Sequence, residues 1–103
     1  MGFMGAIRIM VCDDDKLFRD AIALCIKKGF KREYELTFAE NGDQALEVIN
    51  RQSTDVLFLD IKMRTADEGL TYLPRIREAD PDITVVMSSG FTDLSTVRKA
   101  IQL

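Results

Sequence analysis

The chain has 103 residues, of which 47% are hydrophobic and 30% charged, with two prolines and a formal net charge of −3. A chain of this length forms one domain around a single core, and its composition is that of a folded protein rather than a disordered or fibrous one. The acidic balance and the lack of a basic run argue against a nucleic-acid surface, and the longest apolar runs are far too short to span a bilayer.

Ala6 to Cys12 (AIRIMVC) is apolar and β-rich and stops at Asp13-Asp14-Asp15, so it reads as the first strand. Lys16 to Lys28 sets Leu17, Phe18, Ala21, Ile22 and Cys25 on one helical stripe, with Asp15 as N-cap and Gly29 as the stop. Tyr34 to Ala39 alternates Tyr34, Leu36 and Phe38 with Glu35 and Thr37, the pattern of an edge strand with one wet face. Asn41-Gly42 punctuates the chain. A short helix over Asp43 to Arg51 then carries Ala45, Leu46, Val48 and Ile49 inward, and Asn41 with Gln44 resembles a capping box.

Val56 to Leu59 is a continuous apolar run ending in Asp60, and Ile83 to Ser88 is a second one ending near Ser89. Both read as central strands buried on two faces. Between them, Gly69 to Ala79 has Leu70, Leu73 and Ile76 at inward spacing, and Pro74 predicts a late start or a kink. From Asp93, a last helix carries Leu94, Val97 and Ile101. The alternation βαβαβαβα predicts an α/β fold, a three-layer sandwich with a central parallel sheet covered by helices on both faces.

In an open parallel sheet, ligands bind beyond the carboxyl ends of the strands. The first strand ends in Asp13-Asp14-Asp15, the third in Asp60 and the fourth in Ser88-Ser89-Gly90. If the first and third strands are neighbours, at least three carboxylates share one crevice, where their mutual repulsion calls for a divalent cation. The chain has no histidine, which removes imidazole as base, metal ligand or phosphocarrier. Any metal must therefore take oxygen ligands, and Mg²⁺ beside a phosphate is the favoured case. A carboxylate attacking a metal-neutralised phosphoryl group is the natural chemistry of such a crevice. Each element alone has a blander reading: Asp13 to Asp15 as turn and helix cap, Asp60 as turn residue, Ser89 as a loop hydroxyl. Their joint placement at the strand ends favours the cluster. Cys12 and Cys25 lie in apolar contexts without zinc-site spacing and read as buried, reduced thiols.

These segments, VCDDD after the first strand, VLFLDIKM around Asp60 and VVMSSGFTDL at the fourth, resemble response-regulator receiver domains of the chemotaxis-type two-component systems, from Ile7 onward. The resemblance implies a flavodoxin-like strand order 2-1-3-4, with a receiver domain over residues 6–103 and an N-terminal extension over 1–5. It implies Asp60 as phosphoacceptor, Asp13 and Asp14 as the acidic pair for Mg²⁺, and Asp60 and the backbone carbonyl of Lys62 as further ligands. Asp14 would be the direct ligand, with Asp13 acting mainly through water. It implies Ser89 as the switch hydroxyl, and Arg19 falls where the family often has arginine. Two departures stand out. The family usually reads Asp-x-x-Met-Pro-x-x-Asp-Gly after the acceptor, whereas DIKMRTADEGL has Arg64 for the proline and one extra residue before Gly69. The family also continues into a fifth strand, bearing a lysine, and a fifth helix. The sequence lacks both, and none of Lys27, Lys28, Lys31, Lys62 or Lys99 ends a central strand.

The expected function is a two-component phosphorelay switch: a histidine kinase or phosphotransfer protein supplies the phosphoryl group, and an effector domain beyond Leu103 reads the output. A phosphorylation-independent interaction module is the alternative, and an Mg²⁺-dependent phosphohydrolase comes third. An enzyme is not expected beyond self-phosphorylation and self-dephosphorylation. No membrane contact and no direct nucleic-acid contact are expected. Self-association is expected through the uncovered edge of the fourth strand and the first helix. Met1 to Ala6 has no charged n-region before an apolar core, and Ala6 stands where a myristoylation motif needs Ser or Thr, so a cytoplasmic location is expected.

Overall fold

The structure is a computed structural model that describes residues 5–88. Ser89, the helix expected from Asp93 and most of the N-terminal extension lie outside the described residues. Within them the chain runs β1 (Ile7–Cys12), α1 (Lys16–Gly29), β2 (Tyr34–Ala39), α2 (Gly42–Arg51), β3 (Val56–Asp60), α3 (Glu68–Ala79) and β4 (Thr84–Ser88). All strand pairs are parallel and the sheet order is β2-β1-β3-β4, as the flavodoxin-like reading requires.

Period-two alternation in the central strands divides the core into two layers. Met10, Cys12, Leu57 and Leu59 face α2 and α3, where they meet Ala45, Val48, Ile49 and Ile76. Ile9, Val11 and Phe58 face the opposite way and meet Phe18, Ile22 and Ile26 of α1. Both sides of β1 and β3 are thereby sealed, which is why these strands read as unbroken apolar runs. β2 is an edge strand, and Phe38, expected on the covered face with Tyr34 and Leu36, is instead 44% exposed.

Several expectations about individual positions are corrected. Leu17 is 68% exposed, while Ile26 is fully buried, so the inward stripe of α1 is Phe18, Ile22 and Ile26. Leu17 sits one residue before Phe18 and so falls off that stripe, next to the cap: the Asp15 side chain accepts from the Leu17 amide at 2.9 Å. Gly29 does not stop α1 but is its last residue, and the Phe30 amide closes it on the Ile26 carbonyl at 2.9 Å. Cys12 is buried and Cys25 only half-buried; both are free thiols.

In α2 the Asn41 side chain accepts from the Gln44 amide at 2.9 Å. Gln44 Oε1 returns the bond to the Glu40 amide, one residue earlier than in the standard capping box. α3 begins at Glu68, earlier than expected, and continues through Pro74. Leu70 is 52% exposed rather than inward, and Ile76 is the fully buried anchor of the helix.

Candidate functional site

The parallel register determines what meets at the carboxyl end of the sheet. Cys12 pairs with Leu59, so Asp13 and Asp60, the next residue on each strand, emerge side by side. Asp60 in turn pairs with Ser88 of β4, and the Ile61 amide donates to the Ser88 carbonyl at 2.8 Å. Asp13 is 2% and Asp60 6% exposed, while Asp14 is open to solvent. One carboxylate oxygen from each of the three lies within 4.8 Å of the others.

Asp13 is fixed from two sides. Its Oδ1 accepts from the Asp15 amide at 2.9 Å, and its backbone carbonyl accepts from Arg19 Nη1 at 2.7 Å. Arg19 therefore holds the strand end by its backbone and makes no ion pair with the carboxyl. Among the described residues, no Lys or Arg side chain forms an ion pair with Asp13, Asp14 or Asp60.

Burial without a cation has an electrostatic consequence. Desolvation, reinforced by the Asp60 and Asp14 charges and opposed by the Asp15 amide, pushes the Asp13 carboxyl up to about 7. Asp60 is also raised, again chiefly by burial, although the Lys62 amide and a hydrogen bond from the Asp13 carboxyl favour its ionised form. Two adjacent buried carboxyls that are costly to ionise are relieved by a hard cation, and an all-oxygen donor set suits one. The residues present thus fit a divalent metal.

The loop leaving Asp60 is built differently from what the sequence pattern suggested. The Lys62 amide donates to Asp60 Oδ1 at 3.3 Å, while the Lys62 side chain is exposed. The Gly69 amide returns to the Ile61 carbonyl at 2.9 Å, and a Cβ at Gly69 would collide with the Asp60 carbonyl, so only glycine permits this approach. Between these points sits a pair that sequence reasoning did not single out. Glu68, 4% exposed, accepts from Arg64 Nε at 2.9 Å, Arg64 Nη2 at 2.8 Å, the Arg64 amide at 3.0 Å and the Gly42 amide at 2.8 Å.

The Arg64 guanidinium holds the Glu68 carboxyl down to about 2 against the opposing effect of burial. Arg64 also reaches Asp43 Oδ2 at 3.4 Å, and the Tyr72 hydroxyl donates to Asp43 Oδ1 at 2.5 Å. Arg64, which stands where the family pattern has proline, and Glu68, in the stretch that runs one residue longer before Gly69, are therefore partners. Their spacing of four residues was the available signal.

Cys12, at the end of β1, is not part of the reactive set. Burial foremost, with Glu68 and the acidic cluster adding to it, pushes its thiol up to about 12, and Sγ–H is directed at the Asn41 carbonyl, 3.4 Å, and Met63 Sδ, 3.7 Å. The structure brings together Asp13, Asp14 and Asp60, with the Lys62 amide, rather than its carbonyl, bonded to Asp60; Ser89 falls outside the described residues.

Comparison with known proteins agrees with this geometry. The chemotaxis protein CheY of Bacillus subtilis strain 168 is 37% identical over 98 residues, covering 94% of this chain and 78% of CheY. A protein-glutamate methylesterase/protein-glutamine glutaminase of Rhodospirillum centenum is 36% identical over 85 residues, 82% of this chain but 21% of that protein. The chain thus spans about a fifth of the length of the methylesterase relatives it matches. Among solved structures, the REC domain of AraT, a response regulator from Geobacillus stearothermophilus, superposes with a TM-score of 0.68 at 31% identity, covering 94% of this chain and 74% of that one. The receiver domain of NtrX from Brucella abortus gives 0.69 at 33% identity, covering 91% and 77%. The family model of the response regulator receiver domain matches residues 9–103, which takes in both strand ends that supply the acidic cluster. With fold, strand order and sequence in agreement, the chain belongs to the response regulator receiver domain family.

Proposed function

We propose that Asp60 is the phosphoacceptor of a two-component phosphorelay and that Asp13, Asp14, Asp60 and the Lys62 backbone carbonyl hold Mg²⁺. The observation that carries this reading is the convergence of three carboxylates at the ends of β1 and β3 with no protein cation among them in the described residues. When bound, the metal neutralises charge on the transferring phosphoryl group.

The chain's own residues do the rest. A carboxylate oxygen of Asp60 attacks phosphorus, the bond from phosphorus to the imidazole nitrogen of the donor kinase or phosphotransfer protein breaks, and its electron pair returns to that nitrogen. The burial of Asp60 and the rigid β3 end hold the attacking oxygen in one place, and the Lys62 amide orients it. Asp13, whose carboxyl burial pushes up to about 7 in the metal-free protein, would face an ion held there mainly through water and would favour it in its ionised form. Ser89, one residue beyond β4, is the hydroxyl that reports the phosphoryl group to an output surface. Its effector lies in further protein sequence, and the domain works in the cytoplasm without chemistry of its own beyond self-phosphorylation and self-dephosphorylation.

Incubation with Mg²⁺ and a small acyl-phosphate donor should add one phosphoryl group to the intact mass of the protein, and D60N should abolish the addition. An adduct that persists in D60N would assign the acceptor to another residue.

A further inference from the structure

We propose that Arg64 and Glu68 form a positioning pair that sets the loop after Asp60 and thereby the metal-binding geometry of the site. The inference rests on the reading of Asp60 and its neighbours as an Mg²⁺-dependent phosphoacceptor centre.

The Glu68 carboxylate is saturated. Each oxygen takes one guanidinium N–H and one backbone N–H: Oε1 accepts from Arg64 Nε and the Arg64 amide, and Oε2 from Arg64 Nη2 and the Gly42 amide. Charge-assisted, bidentate bonds of this kind are among the strongest and most directional that side chains form. They tie together three segments that the sheet alone does not connect: the loop after β3, the start of α3 and the first residue of α2.

The loop between these ties is short and contains the atoms of interest. Gly69 fixes its far end on Ile61 and lies flush with Asp60, while Arg64 fixes its middle, two residues after Lys62. A further backbone bond within it runs from the Met63 amide to the Thr65 carbonyl, 3.0 Å. The direction in which the Lys62 peptide faces Asp60 is therefore set by the Glu68 clamp on one side and the end of β3 on the other. A proline at position 64 would restrict the backbone without donors. Arg64 carries an amide N–H that needs a partner, and Glu68 supplies one.

The clamp also reaches outward. Arg64 extends to Asp43, Tyr72 closes on Asp43, and the Tyr72 ring lies against Gly42, where a Cβ would collide with it. These contacts are exposed and solvent-screened, so the central Arg64–Glu68–Gly42 knot is the part that holds the loop.

The test uses the full chain and measures Mg²⁺ affinity by calorimetry, amide hydrogen exchange over residues 61–67 without metal, and phosphorylation by an acyl-phosphate donor. R64A and E68Q should each weaken Mg²⁺ binding about tenfold and speed exchange in the loop, while R51A, which breaks an exposed pair with Glu47, should change neither. R64K, which keeps the charge and the backbone amide but loses the bidentate fork, should retain Mg²⁺ affinity and loop exchange between those of R64A and the parent. Wild-type affinity and loop exchange in R64A would overturn the proposal, as would an R64K variant no better than R64A. Absence of Mg²⁺ binding and phosphorylation in the parent chain would instead overturn the reading of the Asp60 centre itself.

Discussion

Gly69 sits against the carbonyl of Asp60 with no room for a Cβ, and its amide is bonded to Ile61 at 2.9 Å. A side chain there must displace either the start of α3 or the end of β3, and both are anchored in the core by Ile76 and Leu59. G69A should therefore destabilise the fold by about 1–3 kcal/mol, the usual range for forcing a methyl group into a closed space. It should also reduce phosphorylation of Asp60 under conditions where the variant remains folded. Urea unfolding alongside intact-mass phosphorylation separates the two effects, and an unchanged midpoint would mean the approach is looser than the geometry shows.

The acidic cluster and the Glu68 clamp give opposite pH dependences. Asp13 has its carboxyl pushed up to about 7 in the folded protein, so the folded state binds more protons than the unfolded chain from about pH 4 to pH 7. Stability of the metal-free protein should fall as pH rises through that window, and the raised Asp60 contributes in the same direction. Glu68, held down to about 2, contributes stability that is present above its ordinary range and is lost as pH falls toward 2. Chemical unfolding of the metal-free chain should thus show maximal stability on the acid side of neutrality. D13N should flatten the neutral limb. Mg²⁺ at about a hundred times its dissociation constant should add about 2.7 kcal/mol where the carboxylates are ionised, and less at pH 5 where protons compete. A metal-free curve that rises from pH 5 to pH 7 would contradict the origin assigned to the Asp13 shift.

Helix ends and helix faces should separate cleanly in mutational cost. Ile22 is buried in the α1 layer, and I22A should cost about 2–5 kcal/mol. L17A, at a position that sequence periodicity placed on the same stripe, should cost no more than about 0.5 kcal/mol. N41A removes the acceptor for the Gln44 amide and should cost about 1 kcal/mol. Equal effects of I22A and L17A in thermal unfolding would restore the stripe that the sequence suggested.

That contrast shows how far the sequence could be read. β1 and β3 were legible because a strand covered on two faces needs apolar residues at every position, and Met10 to Cys12 and Leu57 to Leu59 supply them. Asp13 and Asp60 were legible for a related reason: acidic residues directly after such strands have one place to go. Leu17 and Leu70 misled because each lies one residue round the helix from a buried neighbour, Phe18 and Gly69, on the flank of the inward face, where an apolar side chain can face water at little cost. The knot at Arg64 was not legible as a knot. Its donors come from the loop after β3 and from the start of α2, residues that meet only when β1 and β3 are already paired.

Reactivity of the two thiols provides a last check on the site's environment. Cys12 has no exposed surface, its thiol is pushed up to about 12, and its Sγ–H is directed toward Asn41 and Met63. The thiolate is the reactive form, so Cys12 should resist alkylation at pH 8 until the sheet opens. Cys25 lies half-buried on the α1 face and should react first, in the native state. Mass spectrometry of a timed alkylation should show one label added quickly and the second only at the rate set by opening of the fold, with urea accelerating the second step alone. Rapid labelling of Cys12 in the native protein would mean that the end of β1, and with it Asp13, is far more open than its burial indicates.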